Sequence, residues 1–201
     1  MDPISIIAAE YQLDDPELIR FIEPFTEIRA YAANDIVFSS DDDKSKLYFV
    51  LDGAVRMFTI SAKGQEITDL FFWKFGELIV AYENPSSYKN RAVPEEYCEA
   101  VLPTTLLSIP VEVIRKAAIL FPKVSTVIIT EQYERWRNLL HIRHIVQCMT
   151  ATKRYEWFLE EFPGLIDLIP HKYIASFLGM NPVTMSRIRR ARGETSSHRQ
   201  D

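Results

Sequence analysis

The feature that most constrains this fold is the stretch that begins at Pro122. From there to about Cys148 the sequence has no Gly and no further Pro, and apolar residues recur near helical spacing. A helix of ~25 residues is ~37 Å long, and this one is apolar on too many sides to lie alone on a surface. It is either a central core helix or the seam of a dimer. We favour the seam, because a small β-domain cannot cover such a length. The apolar positions are Val124, Val127, Ile128, Trp136, Leu139, Leu140, Ile142 and Ile145.

The residues that precede this helix predict antiparallel β structure. Segments such as "KLYFVLDGAVRMFTI" are short, rich in β-branched and aromatic residues, and separated by the hairpin dipeptides Asp52-Gly53 and Lys63-Gly64. We expect a small barrel or sandwich over roughly residues 31–110, interrupted by a long loop at 83–96 that is rich in Pro, Ser and Asn. Residues 3–30 mix apolar and acidic positions at helical spacing and predict helix.

Residues 170–191 predict two short helices around a tight turn. Gly179 stands where a helix-turn-helix requires a positive φ. Asn181 is suited to cap the second helix, with Pro182 in its first turn. The buried face of the first helix would be formed by Ile174, Ala175 and Leu178.

The second helix of this pair is predicted to present polar and basic side chains, as major-groove recognition requires. Its outward positions would be Val183, Thr184, Ser186, Arg187 and Arg190, with Met185 and Ile188 inward. Residues 170–201 carry 6 Lys and Arg against 2 Asp and Glu, whereas residues 1–169 carry 17 against 26. A plain αα-hairpin with a solvated basic face remains an alternative, but a basic segment on an acidic chain favours DNA binding.

The segment "IASFLGMNPVTMSRIRR" resembles the recognition motif of the Crp/Fnr family of bacterial transcription regulators, I-A-x-x-L-G-x-x-x-E-T-[VL]-S-R. The resemblance extends upstream. "LYFVLDGAVRMFTISAKGQEIT" is similar to the hairpins of the cyclic-nucleotide-binding β-roll, and the long helix stands where that family has its dimerisation helix. The motif matches at Ile174, Ala175, Leu178, Gly179, Thr184, Ser186 and Arg187.

The resemblance implies an α+β fold with three parts. These are a sensor β-roll at 1–121, a dimerisation helix at 122–148 and a helix-turn-helix domain at 149–201. It also implies a homodimer that binds a double-stranded DNA operator under the control of an effector in the β-roll. The alternative is a sensor or protein-interaction module whose DNA-binding domain is vestigial.

The recognition helix departs from the family pattern at the position that reads DNA bases. Val183 replaces the family's Glu, so a carboxylate that would accept from cytosine is lost and contact with a thymine methyl becomes available. The family's β wing has no counterpart before the sequence ends at 201, where we expect a truncated wing. Thr184, Ser186 and Arg187 are then expected to contact bases. The expected phosphate contacts are Lys172, Arg189, Arg190 and Arg192.

The effector pocket departs further from the family pattern. The family's Gly-Glu-Leu is present as Gly76, Glu77 and Leu78, and the Glu would bond a ribose hydroxyl. The family's Arg-Ser position aligns with residues 94–96, where Glu95 would repel a phosphate. Arg91 is an alternative phosphate ligand, although nothing in the spacing places it there. We therefore expect weak or no binding of cAMP, no other cofactor, and an effector that is unknown or absent.

The remaining features predict no enzyme and no metal site. His141 and His144 stand at i, i+3 without a further ligand at suitable spacing, so solvated or interface histidines are favoured over a metal site. Cys98 and Cys148 are too few for a disulfide framework, and inert thiols are favoured over a redox pair. No segment has the hydropathy of a signal peptide or a membrane span, so we expect a cytoplasmic protein without a membrane partner.

Overall fold

The computed structural model of the protein describes residues 2–39, 45–80 and 95–194. Within those ranges the chain forms eight α-helices, one 3-10 turn at Glu23–Phe25 and eight strands. The helices are α1 (Pro3–Glu10), α2 (Pro16–Ile22), α3 (Val111–Leu120), α4 (Pro122–Cys148), α5 (Ala151–Glu161), α6 (Leu165–Leu168), α7 (His171–Phe177) and α8 (Pro182–Ala191). The strands are β1 (Glu27–Tyr31), β2 (Ile36–Ser39), β3 (Lys46–Asp52), β4 (Val55–Ile60), β5 (Glu66–Phe72), β6 (Leu78–Val80), β7 (Glu96–Ala100) and β8 (Thr104–Pro110).

The strands form two four-stranded antiparallel sheets, in the orders β1-β8-β3-β6 and β2-β7-β4-β5. Apolar side chains from both sheets pack between them, as the β-branched and aromatic composition predicts. This confirms the predicted β-roll. The core between the sheets includes Tyr31, Phe38, Val50, Val55, Met57, Phe72, Ile79, Cys98 and Leu106.

The β structure begins earlier than the helical spacing of residues 3–30 predicts. Residues 27–31 form β1, which pairs with β8 from Glu27 opposite Ser108 onwards. Pairing along β8 outweighs the local periodicity, which is a weak preference where tertiary contacts compete. Phe25, in the 3-10 turn before β1, is 51% exposed.

Helix α4 has the predicted bounds, with 27 residues and a length of about 40 Å. Its N-terminal part packs Val124 and Ile128 beside α1, α2 and α3 on the outer face of the β1-β8-β3-β6 sheet. Ile142, near its C-terminal end, joins the core of the C-terminal helices. Trp136, one of the apolar positions of the predicted dimer seam, lies between these two contacts and is 60% exposed.

A third core joins the C-terminal helices to the β-roll. Phe71 of β5 and Val101, which precedes β8, pack in the same cluster as Ile174 of α7 and Met185 of α8. The helix-turn-helix therefore packs directly against the β-roll through a shared hydrophobic core.

Candidate nucleic-acid interface and effector cleft

The turn between α7 and α8 is built by the residues that the sequence singles out. Asn181 Oδ1 accepts from the Thr184 N–H at 2.7 Å, and Pro182 occupies the first turn of α8. Gly179 has φ +60°, and a Cβ atom there would lie 2.9 Å from Val146 Cγ1. Glycine is required at this position both for the backbone conformation and for the close approach of α4.

Helix α8 presents a polar and basic face to solvent. Val183 is 59% exposed, and Ser186, Arg187 and Arg190 are exposed as well. Thr184 is half-buried. The inward positions are Met185 and Ile188, both buried. The predicted orientation of this helix is confirmed.

Arg189 differs from the expectation that it contacts a DNA phosphate. Its side chain is buried, with Nη1 2.8 Å from His171 Nδ1 and Nε 3.6 Å from Glu194 Oε2. Neighbouring positions of a helix point about 100° apart, so Arg189 points toward α7 while Arg190 faces solvent. In this geometry Arg189 holds the two helices together.

Arg192 is also engaged within the protein. Its Nε donates to Glu194 Oε1 at 3.0 Å and its Nη1 to Glu156 Oε1 at 3.2 Å. The same Glu194 accepts from the Tyr155 hydroxyl at 2.6 Å, which links the end of α8 to α5. Lys172 is exposed, with Nζ 4.7 Å from the centre of the Tyr173 ring. Of the four predicted phosphate contacts, Lys172, Arg190 and Arg192 are exposed, and Arg192 is the one of these three that is paired with carboxylates.

Helix α7 is bonded to the free edge of β5. The Ser176 hydroxyl donates to the Glu66 carbonyl at 2.9 Å and accepts from the Thr68 N–H at 3.0 Å. β5 is the edge strand of its sheet, so among the described residues these backbone groups have no strand partner on that side. One side chain of α7 thus takes the place of a neighbouring strand.

A buried arginine lies beneath this contact. Arg56 of β4 is 1% exposed, and its Nε donates to Glu99 Oε2 at 2.6 Å and its Nη2 to Glu66 Oε2 at 2.5 Å. Its guanidinium carbon lies 4.0 Å from the Phe58 ring centre and 3.6 Å from that of Tyr173. Tyr173 belongs to α7, so a cation of the β-roll is covered by a ring of the helix-turn-helix. We refer to Arg56, Glu66, Glu99 and Tyr173 as the Arg56 cluster.

A second arginine holds the turn from the other side. Arg154 of α5 donates through Nη1 to the carbonyls of Leu178 at 2.6 Å, Gly179 at 3.1 Å and Val146 at 3.3 Å. The first two acceptors are at the end of α7 and the third is on α4. The helix-turn-helix is therefore fixed to the long helix as well as to the β-roll.

A cleft of about 530 Å³ lies between α4 and the β-roll. We call it the effector cleft. On the β-roll side it is lined by Glu77, Leu78 and residues 70–72, and on the α4 side by polar side chains that include Arg135 and Asn138. Aromatic and aliphatic walls with a few polar groups are typical of small-molecule sites.

Glu77 closes the turn at the mouth of the effector cleft. Its Oε2 accepts from the Trp73 N–H at 2.7 Å and the Lys74 N–H at 2.9 Å. Burial raises the pKa of this carboxyl, although the two N–H donors act in the opposite direction. Tyr11 donates its hydroxyl to the Gly76 carbonyl at 3.0 Å, and burial raises its pKa to about 12, so the hydroxyl stays a donor.

Arg135 is a basic group inside this cleft whose hydrogen-bond donors are only partly satisfied. Its Nη2 donates to the Leu78 carbonyl, while its buried Nε and Nη1 have no acceptor among the described residues. A buried donor without an acceptor is costly, so a ligand that offers oxygen atoms would be stabilised here. The sequence pattern does not mark Arg135, because its surroundings come from β6 and from the start of the chain.

Two of the predicted pocket residues, Gly76 and Glu95, are not among the residues that line the cleft. Gly76 is buried, with φ +78° and its N–H bonded to the Val50 carbonyl at 2.8 Å, so it shapes the turn. Glu95 is exposed and accepts from the Tyr97 hydroxyl at 2.5 Å. Arg91 and most of the predicted loop at 83–96 lie outside the described residues, as does the chain after Glu194.

The comparisons with known proteins agree with this architecture. Residues 28–118 match the family model of the cyclic nucleotide-binding domain. Among solved structures, FixK2 from Bradyrhizobium japonicum is 18% identical and superimposes with a TM-score of 0.73, covering 87% of this chain and 90% of its own. A transcriptional regulator of the Crp/Fnr family from Eubacterium rectale is 19% identical, with a TM-score of 0.67 over 88% of this chain and 82% of its own.

The chain has the Crp/Fnr fold. The resemblance that its motifs carry is thus confirmed for the fold as a whole. The c-di-GMP-responsive global regulator CLP of Xanthomonas campestris shares it at 14% identity, with a TM-score of 0.66 over 93% of this chain and 96% of its own. No curated protein matches the sequence.

Two absences hold for the described residues, 2–39, 45–80 and 95–194. No helix among them is both long and apolar enough to cross a membrane. They also contain no group of three or more His, Cys, Asp or Glu side chains placed to hold a metal ion. Within the same ranges, His141 packs edge-on against Trp157 with ring centres 5.9 Å apart.

Proposed function

We propose that this protein is a dimeric transcription regulator that binds double-stranded DNA through α8 under the control of a ligand in the effector cleft. The observation that carries the proposal is the exposed face of α8, on which Ser186, Arg187 and Arg190 reach solvent while the opposite face is anchored. Arg can bond guanine through two donors, and Ser can bond bases or phosphates. A bacterial transcription regulator acts on DNA in the cytoplasm, so the proposal includes a cytoplasmic location.

The exposed stripe of α4 supports the homodimer. Ile129 is 69% exposed, Tyr133 58% and Trp136 60%. Together with half-buried Leu140 they follow one another at intervals of four, three and four residues, which is the spacing of a coiled-coil seam. A second copy of α4 is the partner with the same stripe. Two-fold pairing would present the two α8 helices to successive major grooves ~34 Å apart.

The coupling between ligand and DNA would pass through β5 and α7. Phe71 lines the effector cleft, and its ring packs against that of Phe177 on α7 with centres 5.4 Å apart. The Arg56 cluster and Ser176 fix the same helix to the same strand. A ligand that moves α4 relative to the β-roll would therefore change the orientation of α8, because Arg154 bonds the α7–α8 turn to α4.

The surroundings of the cleft argue against cAMP as that ligand. Glu77 already bonds two backbone N–H groups, Glu95 is turned to solvent, and the cleft contains Glu131 and Glu134. A phosphate there would meet several carboxylates. Arg135 is the described group best placed to attract an acceptor.

The proposal is tested by the salt dependence of DNA binding. Purified protein is titrated into fluorescent duplex at increasing NaCl and followed by anisotropy. A regulator that neutralises several phosphates loses affinity steeply, with log Kd linear in log salt. The Trp136→Asp variant, which charges the seam, should sediment as a monomer and bind DNA at least tenfold more weakly. Lys116→Asp, at an exposed position of α3, is the matched control.

The rival function is a sensor or interaction module that does not bind DNA. Val183, apolar and exposed where the family has its Glu, is the observation that favours it. Binding that stays weak and does not depend on salt, with or without Trp136→Asp, would establish the rival and contradict the proposal.

A further inference from the structure

The effector cleft has more acidic than basic side chains on its walls. Its lining includes three carboxylates and two guanidinium groups, which gives a formal charge of −1 with His141 neutral. The charged residues are Glu77, Glu131, Glu134, Arg135 and Arg137. The charge that a ligand should carry depends on which of these groups already face a partner of opposite sign.

Two of the carboxylates face a guanidinium group of the cleft. Glu134 Oε2 lies 3.1 Å from Arg137 Nη1, less than one helical turn away on α4. Arg135 acts on Glu77, since burial raises the pKa of that carboxyl and the Arg135 charge acts in the opposite direction. Arg135 is held in place, because its Nη2 donates to the Leu78 carbonyl. The charges of these two acidic and two basic groups therefore offset one another.

Glu131 is the remaining carboxylate of the cleft. Its side chain is half-buried on α4 and makes no hydrogen bond or ion pair with any described residue. Burial is the main cause of the raised pKa of Tyr11, and the charge of Glu131 comes next, which places this carboxylate near the Tyr11 hydroxyl. That hydroxyl is donated to the Gly76 carbonyl instead. A partly buried charge without a counter-ion is costly, so a cation bound beside Glu131 would be stabilised.

Apolar side chains form the wall of the cleft opposite α4. Leu70, Phe71, Phe72 and Leu78 belong to the β-roll, and Tyr11 lines the cleft as well. Organic cations are attracted by the faces of aromatic rings as well as by carboxylates. An apolar body attached to the cation would gain further from burial against this wall. The volume of about 530 Å³ is in the range of small-molecule sites.

We propose that the effector cleft binds a protonated organic amine, with its ammonium group at Glu131 and its apolar body against the β-roll wall. The inference rests on the proposed effector cleft and names the class of its ligand. The unpartnered carboxylate selects the positive charge, and the apolar wall selects the hydrocarbon body. Such a ligand would join α4 to the β-roll, the two elements whose relative position sets the orientation of α8 in the proposed function.

The test compares three ligands of similar shape and different charge. Phenethylamine is a cation at neutral pH, 2-phenylethanol is neutral and 3-phenylpropanoate is an anion. Full-length protein labelled with ¹³C at leucine methyl groups is titrated with each of them. The resonances of Leu78, in the cleft, should shift, and those of Leu165, in the helix-turn-helix core, should not. The cation should bind about 10- to 100-fold more tightly than the alcohol, and the anion should bind most weakly.

Two variants assign the charge preference to the proposed site. Glu131→Gln keeps the shape of the side chain and should abolish the preference for the cation without changing the affinity for the alcohol. Glu17→Gln, at an exposed position of α2, is the matched control and should keep the preference. If Glu131→Gln does not fold, as judged from the Leu165 resonances, Asn138→Lys replaces it. Asn138 is an exposed residue of the cleft, and a cation there should weaken the binding of phenethylamine alone.

The proposal is overturned if phenethylamine, at its solubility limit, leaves the Leu78 resonances unshifted. It is equally overturned if the alcohol or the anion binds as tightly as the cation, or if Glu131→Gln weakens the cation and the alcohol by the same factor. No DNA is present in the titration, so a failure of the DNA-binding proposal would leave these results unchanged, and the reverse holds as well.

Discussion

The two helices of the helix-turn-helix differ in what they contact. Helix α7 has four buried positions in seven residues and is bonded to β5 through Ser176, whereas α8 has a solvated face that carries Arg187 and Arg190. The proposed function thus assigns coupling to the β-roll and contact with DNA to adjacent helices. Substitutions should separate the two roles: changes on the α7 side should alter stability, and changes on the exposed face of α8 should alter DNA affinity.

The largest effect is expected from Arg56→Met. Removal of a buried cation leaves Glu99 unpaired in the core, which typically costs about 3–5 kcal/mol of unfolding free energy. Urea denaturation measures the loss. Arg29→Met is the matched control, since Arg29 is an exposed cation 5.0 Å from the Tyr31 ring centre, and it should cost less than about 0.5 kcal/mol. A loss below about 1 kcal/mol for Arg56→Met would show that the cluster does not hold α7 to the β-roll.

Arg187→Ala should have the opposite effect: it should weaken DNA binding and leave the unfolding free energy nearly unchanged. Loss of a bidentate base contact should weaken specific DNA binding by about 5- to 150-fold, with the unfolding free energy changed by less than about 0.5 kcal/mol. Anisotropy with a selected duplex gives the affinity. Arg115→Ala, at an exposed position of α3, should change neither the DNA affinity nor the unfolding free energy. Unchanged affinity for Arg187→Ala would remove α8 as the helix that contacts bases.

The neighbouring pair Arg189 and Arg190 provides the sharpest contrast, because the same change is made at adjacent positions. Arg189→Met should lower the unfolding free energy by about 1–3 kcal/mol, because it removes the buried guanidinium that contacts His171 and Glu194. Arg190→Met should leave stability intact and reduce the slope of log Kd against log salt by about one. If the two variants behaved alike, the division between an anchored and a DNA-facing side of α8 would be wrong.

The smallest effect is expected from Ser176→Ala, at about 1 kcal/mol. The substitution deprives the Thr68 N–H and the Glu66 carbonyl of their partner at the edge of β5. The Thr68 amide should then exchange with solvent faster in hydrogen-exchange NMR. Ser186→Ala, on the exposed face of α8, should leave that amide protected. Equal protection in both variants would mean that Ser176 does not secure the edge.

The parts of the molecule that follow from short segments could be predicted from the sequence. Gly179, Asn181 and Pro182 specify a turn and a cap within four residues, and the spacing of Met185 and Ile188 fixes which face of α8 is buried. The strands, the length of α4 and the Crp/Fnr fold follow from equally local patterns. Arg189 was misassigned because charge alone does not reveal a partner such as His171, 18 residues away in the chain.

The effector cleft could be predicted only in part, since its walls come from distant segments. Glu77 and Leu78 are marked by a motif, but Tyr11 follows α1, Arg135 belongs to α4, and neither carries a local pattern. The same holds for Arg56, whose ion pair with Glu99 and contact with Tyr173 exist only once β4, β7 and α7 are assembled. The exposure of Trp136 likewise could not be predicted, because it depends on which parts of α4 are covered by other helices in the folded chain.

The most direct test of the account is selection of bound sequences from a random duplex library by the purified protein without added ligand, beside the Arg187→Ala variant. The account predicts a two-fold symmetric consensus with half-sites one helical turn apart, and loss of one or more conserved base pairs per half-site in the variant. A library that is not enriched by the wild type would contradict DNA recognition by α8.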